Sequence, residues 1–208
     1  ASSHTPHPKV QGRPDKSERR SKRRNTGQEN ILIYGGSMSN HTIKATFSEY
    51  SQQALDQLKK GAFLTVKSGD ETNTMTIGWG AISYIWNKPI FMVAVRYSRH
   101  TYSLIEKSRE FTVSMPLEKD LRKELAFCGS RSGRDVNKFE ECGLSLADSR
   151  SLSTPVIGDC ELHYECRVVY QQAMEPFALD PDIRSHMYGD NNDFHVLYYG
   201  EILESYKN

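Results

Sequence analysis

The stretch PIFMVAVRYSRHTYSLIEKS, residues 89–108, changes character at its middle. Residues 89–96 are apolar except for the final arginine, a pattern typical of a strand that is buried on both faces. The residues that follow place polar side chains ahead of an apolar i, i+3 pattern, which predicts a short amphipathic helix. The sequence therefore predicts a core strand that leads directly into the N-terminus of a helix.

This predicted helix start has two interpretations. In the first, Ser98 caps the helix and has no further role, because serine is a preferred N-cap residue. In the second, the free backbone N–H groups of the helix start hold an anion such as a phosphate, with Arg96 and Arg99 beside it. The helix start alone does not decide between them.

Short strands and a few helices surround this stretch. Helices are predicted over residues 51–60, closed by Gly61, and over residues 119–128. Strands are predicted over residues 62–68, 74–86 with glycine interruptions, 110–116, 160–174 and 194–206. This succession predicts a mainly β fold with a few short helices, namely an antiparallel β-barrel of Greek-key type.

Length and composition limit the functional classes. A chain of 208 residues is long enough for one domain with a real core. It has 37% hydrophobic and 25% charged residues, and no apolar run approaches the ~20 residues that a membrane span needs. Residues 1–30 contain no apolar core of the kind found in signal peptides. We therefore expect a cytoplasmic protein with no membrane partner.

The charge is unevenly distributed. Residues 1–30 carry eight Lys and Arg against three acidic residues, whereas the remainder carries 19 basic and 23 acidic residues. We interpret residues 1–37 as a disordered basic tail, which either belongs to the natural chain or precedes a native start at Met38. The alternative is a nucleic-acid-binding arm. Residues 38–208 form the predicted domain, whose mildly acidic balance argues against a nucleic-acid partner.

Four cysteines show no metal-binding spacing, so no metal site is predicted. Cys160 and Cys166 are separated by an even number of positions, which in a strand would place both side chains on one face. We interpret the cysteines as buried or half-buried free thiols. For Cys128, which ends a predicted helix before a glycine-containing stretch, a reactive thiol is the alternative.

Three blocks of the sequence together resemble a known family. They are GAFLTVKSGDETNTMTIGWGAISYIWNKPIFMVAVRYSRHTYSLIEKSREFTVSMP, then CGSRSGRDVNKFEECG, and finally FHVLYYGEI. In this order they are similar to the flavin reductase family with the FMN-binding split barrel, specifically its flavoredoxin-like branch. The resemblance covers essentially residues 40–206, which makes it more specific than any single motif.

The resemblance implies both a fold and an activity. It implies a six-stranded split barrel that forms a homodimer, with FMN near the subunit interface. It also implies an FMN-dependent oxidoreductase that transfers electrons from NADH or NADPH through FMN to a flavin or a protein acceptor. The alternative is an FMN-binding electron carrier without nicotinamide turnover of its own. The stretch TIGWG departs from the more serine-rich segment of two-component monooxygenase reductases, which puts free-flavin activity in doubt.

The resemblance also implies a set of cofactor-binding residues. Around the FMN phosphate it implies Arg96 and Arg99 as charge partners, with Ser98 and Thr101 as donors. Ser83 would reach the phosphate or the ribityl chain. Along the flavin ring it implies Asn73, Thr74, Thr76, Ile77, Gly78, Trp79 and Gly80, and in the loop over the flavin it implies Ser130, Ser132 and Arg134. We expect Lys138 and Phe139 to seat the following helix.

The roles of two aromatic side chains each have two interpretations. Trp79 either lies along the flavin or is a core aromatic. His195 begins the last predicted strand, where related reductases place a histidine that faces the nicotinamide pocket, and it is our catalytic candidate. Its alternative is a structural histidine. Hydride transfer needs no protein acid, because the flavin carries the reactive atom.

Overall fold

The computed structural model describes residues 47–189, 191 and 193–208. The predicted tail, residues 1–37, and the first residues of the predicted domain lie outside this part of the chain. In the first half, the elements are α1 (Ser51–Leu58), β1 (Ala62–Ser68), β2 (Glu71–Ile77), β3 (Gly80–Ile85), β4 (Lys88–Arg96), α2 (His100–Ser108) and β5 (Glu110–Met115).

The second half adds further helices and the two longest strands. Its elements are α3 (Arg122–Ser130), α4 (Lys138–Cys142), β6 (Leu146–Ala147), β7 (Val156–Ile157), β8 (Leu162–Ala173), a short 3₁₀ turn (Pro176–Ala178), α5 (Pro181–Met187) and β9 (His195–Lys207). In the part of the chain that the structure describes, no helix is long and apolar enough to cross a membrane. Nor does this part bring together three or more His, Cys, Asp or Glu side chains that could hold a metal ion.

Among the described residues, seven strands form one antiparallel sheet in the order β2-β1-β5-β8-β9-β4-β3, and β6 pairs with β7 separately. The predicted mainly β fold is confirmed, although the sheet has seven strands rather than six. Strands β2 and β3 are consecutive along the chain, yet they lie at opposite ends of the strand order. Only Gly78 and Trp79 join them, which is the glycine-marked interruption that the sequence predicts.

The position of Gly80, just after the link between β2 and β3, has room only for a glycine. It opens β3 and pairs with Val93 on β4. A Cβ at Gly80 would lie 2.8 Å from the carbonyl oxygen of Met92 and 3.1 Å from the Phe91 ring. Any side chain there would therefore push β3 away from β4.

The apolar side chains form two clusters, one on each face of β1. Leu64 and Val66 belong to the main core inside the sheet, together with apolar residues of β4, β5, β8 and β9. Phe63 points the other way and packs with Leu121 and Leu125 near and on α3 in a second cluster. This second cluster fixes α3 against β1, and thereby positions the loop that follows α3.

The cysteines clarify two predictions. All four lie in the described part of the chain as free thiols, with Cys142 half-buried and the others buried, which confirms the buried-thiol interpretation. The prediction that Cys160 and Cys166 share one face of a strand is wrong. Cys160 precedes β8 and packs in the second cluster, whereas Cys166 packs in the main core. Burial raises the pKa of Cys128 to about 12, which argues against a reactive thiol.

His163 is a buried histidine of β8 that stays neutral in the fold. Its Nδ1 lies 3.1 Å from the Ser114 hydroxyl, and its Nε2 lies 3.1 Å from the side-chain nitrogen of Asn208. Burial lowers the pKa of His163 to about 4. The unfolded chain, with an ordinary histidine pKa near 6.5, therefore takes up this proton at a higher pH than the folded chain does.

We predict that acid destabilises the fold through His163. The contribution of its neutral form is complete above pH 6.5 and is lost as the pH falls towards 4, which costs on the order of 3 kcal/mol. Urea unfolding at several pH values measures this slope in the wild type and in His163→Asn, where it should be smaller. His186→Asn on the exposed helix α5 is the control and should keep the wild-type slope. An equal slope in His163→Asn would contradict the role of His163.

Candidate functional site

Two adjoining cavities lie where β2, β4 and β9 meet the start of α2. The first, the Trp79 cleft, has a volume of about 180 Å³ and is lined by Met75, Thr76, Ile77, Gly78, Trp79, Ala94, Arg96, Arg99 and His195. The second, the Lys138 cavity, has a volume of about 120 Å³ and is lined by Asn73, Met75, Ser98, Arg99, His100, Thr101, Ser130, Arg131, Ser132, Gly133 and Lys138. Met75 and Arg99 line both, so the two cavities adjoin.

Strand register places the functional side chains of the cleft. Arg96 at the end of β4 pairs with His195 at the start of β9. The His195 ring lies 4.9 Å from the Trp79 ring between centroids, at an interplanar angle of 46°. Trp79 is 44% exposed, so it is not a core aromatic. The two rings form a half-open aromatic wall at the end of the barrel.

The environment of His195 fixes its protonation. Its Nδ1 lies 2.7 Å from the hydroxyl of Tyr188, which is also 3.0 Å from the Met174 sulfur. A ring nitrogen is a better acceptor than a thioether, so we assign the hydroxyl proton to Nδ1, which leaves the imidazole proton on Nε2. Burial lowers the pKa of His195 to about 4, and the positive charges of Arg96 and Arg99 act in the same direction. His195 is therefore a neutral donor at the cleft near pH 7.

Arg96 lines the cleft, but its guanidinium donates hydrogen bonds to backbone carbonyls of the same chain. Its guanidinium donates to the carbonyl oxygens of Asp193 at 3.0 Å and Met187 at 3.2 Å. It also lies 5.1 Å from the centre of the Tyr188 ring. Arg96 thus holds the segment that supplies the hydrogen-bond partner of His195.

Ser98 is occupied by a carboxylate of the same chain. Both its backbone N–H and its hydroxyl donate to the Asp193 carboxylate, at 3.1 Å and 2.6 Å. The prediction that Ser98 caps α2 is wrong, because Arg99 is the N-cap residue and its side chain makes no capping bond. The first free backbone N–H groups of α2 therefore follow Arg99 rather than Ser98.

Lys138 supplies a buried positive charge at the second cavity. It is 4% exposed, and its ammonium donates to the carbonyl oxygens of Thr74 at 2.9 Å and Cys128 at 2.8 Å. An ammonium has three donors, and the described residues account for two of them. Burial lowers the pKa of Lys138, which increases the benefit of a nearby anion. Arg99, anchored to the Gly129 carbonyl at 2.8 Å, lines the same cavity.

The first turn of α2 forms the opposite wall of the Lys138 cavity. Its first backbone N–H groups, those of His100 and Thr101, have no helical acceptor. The Asn73 amide donates to the Thr101 hydroxyl at 2.9 Å. His100 pairs through Nε2 with Glu71 at 2.5 Å, while its buried Nδ1 has no partner among the described residues. The backbone of Gly133 lies directly against the Asn73 side chain and completes this wall. A Cβ at Gly133 would overlap that side chain.

Most predicted site residues line these two cavities. The cleft includes Thr76, Ile77, Gly78, Trp79, Arg96, Arg99 and His195. The Lys138 cavity includes Asn73, Ser98, Arg99, Thr101, Ser130 and Ser132. The exposed Ser130 hydroxyl nevertheless donates back to Ala126 and Phe127 of its own helix, and the Ser132 hydroxyl accepts from the backbone N–H of Arg134.

Four predicted residues do not line either cavity as described. The Thr74 hydroxyl is buried and donates to the Leu64 carbonyl within the sheet. Gly80 packs against β4, and Ser83 lies further along β3 opposite Ile90. Arg134 donates to the Ser98 carbonyl at 3.2 Å and lies at the rim.

The sequence did not identify His100, Gly133 or Tyr188 as residues of the site. It also did not indicate that Lys138 places a buried positive charge there. Lys138 does seat its helix, as predicted, because it binds carbonyls of β2 and α3. A lysine in a polar loop gives no sign that it will be buried, so the sequence held no signal for its second role. For His100 a signal existed, since it immediately follows Arg99 at the predicted helix start.

Fold and site together define an antiparallel β-barrel with a cationic cavity at a helix N-terminus and an adjoining aromatic cleft. Residues 60–207 match the family model described as flavin reductase like domain, so the chain belongs to the flavin reductase-like family. An uncharacterised protein of Archaeoglobus fulgidus is 32% identical over 141 residues, or 68% of this chain and 68% of that protein. The chain thus spans about two thirds of that relative.

Two solved structures show the same fold. Flavoredoxin from Methanosarcina acetivorans has a TM-score of 0.55 and 26% identity, covering 71% of this chain and 68% of that one. A Shewanella frigidimarina protein, described as a flavin reductase with a split barrel domain, has a TM-score of 0.57 and 17% identity, covering 84% and 81%. These similarities confirm the predicted split-barrel class.

We predict that Tyr188→Phe raises the pKa of His195 from about 4 towards its ordinary value. The phenol hydroxyl stabilises the neutral imidazole by donating to Nδ1, so its removal makes protonation easier. Titration of the His195 ring by NMR measures the change. Tyr97→Phe is the control, because exposed Tyr97 packs on Tyr102 rather than on His195. A His195 pKa that stays unchanged in Tyr188→Phe would show that the proton sits on Nδ1 instead.

Proposed function

We propose that this chain is an FMN-dependent NAD(P)H oxidoreductase that passes electrons from a nicotinamide nucleotide through FMN to a flavin or a protein acceptor. The observation that carries the proposal is the junction of the two cavities. A cationic cavity adjoins a half-open aromatic cleft, and Met75 and Arg99 line both. A planar ring joined to a phosphate through a short chain requires this pair of sites.

The residues present fit FMN. Arg99, Lys138 and the first N–H groups of α2 would hold the phosphate, since all are donors and two are positively charged. The exposed backbone at Gly78 and the half-exposed Trp79 ring would hold the flavin ring, while His195 would face the incoming nicotinamide. Bound FMN supplies the group that accepts a hydride and releases electrons, while the chain positions it.

His195 would act by positioning rather than by proton transfer. It is neutral near pH 7, with its proton on Nε2, and it lines the cleft beside Trp79. A neutral N–H donor can bind a carboxamide oxygen of an incoming nicotinamide without repelling the positive ring that hydride transfer leaves behind. The depressed pKa preserves this role across the physiological pH range.

The alternative is an FMN-binding electron carrier that a partner protein reduces. The openness of the cleft favours neither reading, because both need access to the ring. Adding NADH or NADPH to the FMN-loaded protein separates them through loss of the visible absorbance of oxidised flavin. Rapid bleaching supports the oxidoreductase, whereas reduction by a partner protein alone supports the carrier.

Assembly and location are further proposals. At about 180 Å³, the Trp79 cleft is smaller than the roughly 300–1,000 Å³ of sites that enclose a ligand. We propose that a second copy of the chain completes it. An aromatic patch of exposed Trp86 and Tyr170 with half-buried Tyr199 supports self-association, which sedimentation velocity would test. The four free thiols support a reducing compartment such as the cytoplasm.

We predict that Arg99→Ala weakens FMN binding but not riboflavin binding. Loss of a charge-assisted hydrogen bond to the phosphate costs about 1.5–3 kcal/mol, which is about 10- to 150-fold in affinity. Arg96→Ala is the matched variant. Because Arg96 holds the backbone carbonyls of Met187 and Asp193, its loss should weaken both ligands similarly. Titration calorimetry with FMN and riboflavin measures both variants, and equal losses in Arg99→Ala would contradict the phosphate role.

We predict that His195→Ala binds FMN with near wild-type affinity but is reduced more slowly by the nicotinamide nucleotide. The change removes a positioning contact for the hydride donor and leaves the Lys138 cavity intact. Stopped-flow reduction at several nicotinamide concentrations separates weaker donor binding from a slower limiting rate. Normal reduction of the flavin that remains bound, together with lower thermal stability, would assign His195 a structural role.

A further inference from the structure

We propose that Cys128 and Cys142 form a reversible disulfide that restrains the loop between α3 and α4 beside the Lys138 cavity. Cys128 lies in the last turn of α3, and Cys142 is the last residue of α4. The two cysteines therefore lie on either side of this loop along the chain. The disulfide itself is independent of the proposed flavin function, whereas its expected effect on FMN rests on that function.

The two thiols contact each other in the second apolar cluster. Cys128 is a buried member of this cluster, and half-buried Cys142 packs against it. The S–H group of Cys128 donates a hydrogen bond to the Cys142 sulfur. Because the sulfur atoms are already in contact, only a short approach separates them from the S–S distance of about 2.05 Å.

Differences in exposure give the two thiols different roles. Cys128 is 0% exposed, whereas Cys142 is half-buried and can meet a small oxidant from solvent. Burial raises the pKa of both thiols, that of Cys128 to about 12. At Cys142 the carboxylates of Glu124 and Glu141 also raise the pKa, while the hydrogen bond from Cys128 and the charge of Lys138 lower it. Since the thiolate is the reactive form, Cys142 is the thiol that a peroxide oxidises first.

The reaction consumes one hydrogen peroxide and two thiols. Peroxide converts the Cys142 thiol to a sulfenic acid, as an S–O bond forms, the O–O bond breaks and one water leaves. The Cys128 sulfur then attacks the Cys142 sulfur, so that an S–S bond forms, the S–O bond breaks and a second water leaves. The two sulfurs together lose two electrons, and a dithiol returns them by exchange. A reduced flavin forms hydrogen peroxide with dioxygen, so the proposed function would supply the oxidant.

The disulfide would close a loop that forms part of the Lys138 cavity. The cavity-lining residues between the two cysteines are Ser130, Arg131, Ser132, Gly133 and Lys138. The ammonium of Lys138 already ties α4 to the Cys128 carbonyl at 2.8 Å. A covalent link between the same two helices removes conformations in which they separate. A phosphate held in the cavity should therefore leave more slowly from the oxidised chain.

Peptide mapping and limited proteolysis of the full chain test the disulfide without any flavin. After treatment with hydrogen peroxide, mass spectrometry should identify a peptide that links Cys128 to Cys142, and dithiothreitol should restore both thiols. Trypsin cleaves after Arg131 and Arg134, two exposed residues of the loop. Cleavage at these sites should be slower in the oxidised chain than in the reduced chain.

Release of FMN tests the effect on the cavity. The loaded protein is oxidised, the peroxide is removed, and the fluorescence of the freed flavin is followed after dilution. Release from the oxidised wild type should be slower by at least about threefold, because the link restrains the loop. Dithiothreitol should return the release rate to that of the reduced chain.

Three variants separate the disulfide from other effects of peroxide. Cys142→Ser and Cys128→Ala should form no link and should release FMN at one rate before and after oxidation. Two variants are used because a change at buried Cys128 alters the packing of the second cluster. Cys160→Ala, which removes another buried thiol of that cluster, is the matched control and should keep both the link and the slower release.

Each outcome decides the inference. Absence of the Cys128–Cys142 link in oxidised wild type overturns it, as does a link from Cys128 to Cys160 instead. A correct link with unchanged or faster FMN release overturns the restraint on the cavity, and so does slower release that persists in Cys142→Ser. Failure of the reduced wild type to bind FMN or riboflavin overturns the proposed function, while peptide mapping and proteolysis still decide the disulfide.

Discussion

The ammonium of Lys138 joins three elements that the site requires. From α4 it binds a carbonyl of β2 and a carbonyl of α3, and all three groups are buried. A buried charge is costly unless it is paired or fully hydrogen-bonded, so this lysine tolerates little displacement of its partners. The loop between α3 and α4 is held at a defined distance from the sheet as a result. Without Lys138, the cationic cavity would lose its buried ammonium and one of its walls.

Negative charges of the chain itself organise the other side of the site. The Asp193 carboxylate binds both donors of Ser98, while the backbone of the same residue accepts from Arg96. Asp193 therefore provides hydrogen-bond acceptors both for Arg96 and for Ser98, which precedes the N-terminus of α2. This arrangement keeps Tyr188 beside His195, whose neutral form depends on burial and on the nearby arginines.

The sequence predicted the strands well because their apolar patterns are local. Strand β4 and the break at Gly78–Trp79 were visible in residue spacing, and the structure confirms both. Burial of Lys138 and the Ser98–Asp193 contact were not predictable, because each depends on residues that are distant along the chain. Cys160 was misassigned for a similar reason: an even spacing fixes a face only if the strand extends to both residues, and β8 begins after Cys160.

The two-residue link at Gly78–Trp79 joins the two outermost strands of the sheet order. A ligand in the Trp79 cleft would touch β2 at one end of that order and β4 and β9 towards the other. Its binding free energy would add to the work needed to pull the two halves of the barrel apart. Separation of β2 from β4 and β9 would then occur together with release of the ligand. The rate of cofactor exchange would therefore measure how often the barrel opens at this point.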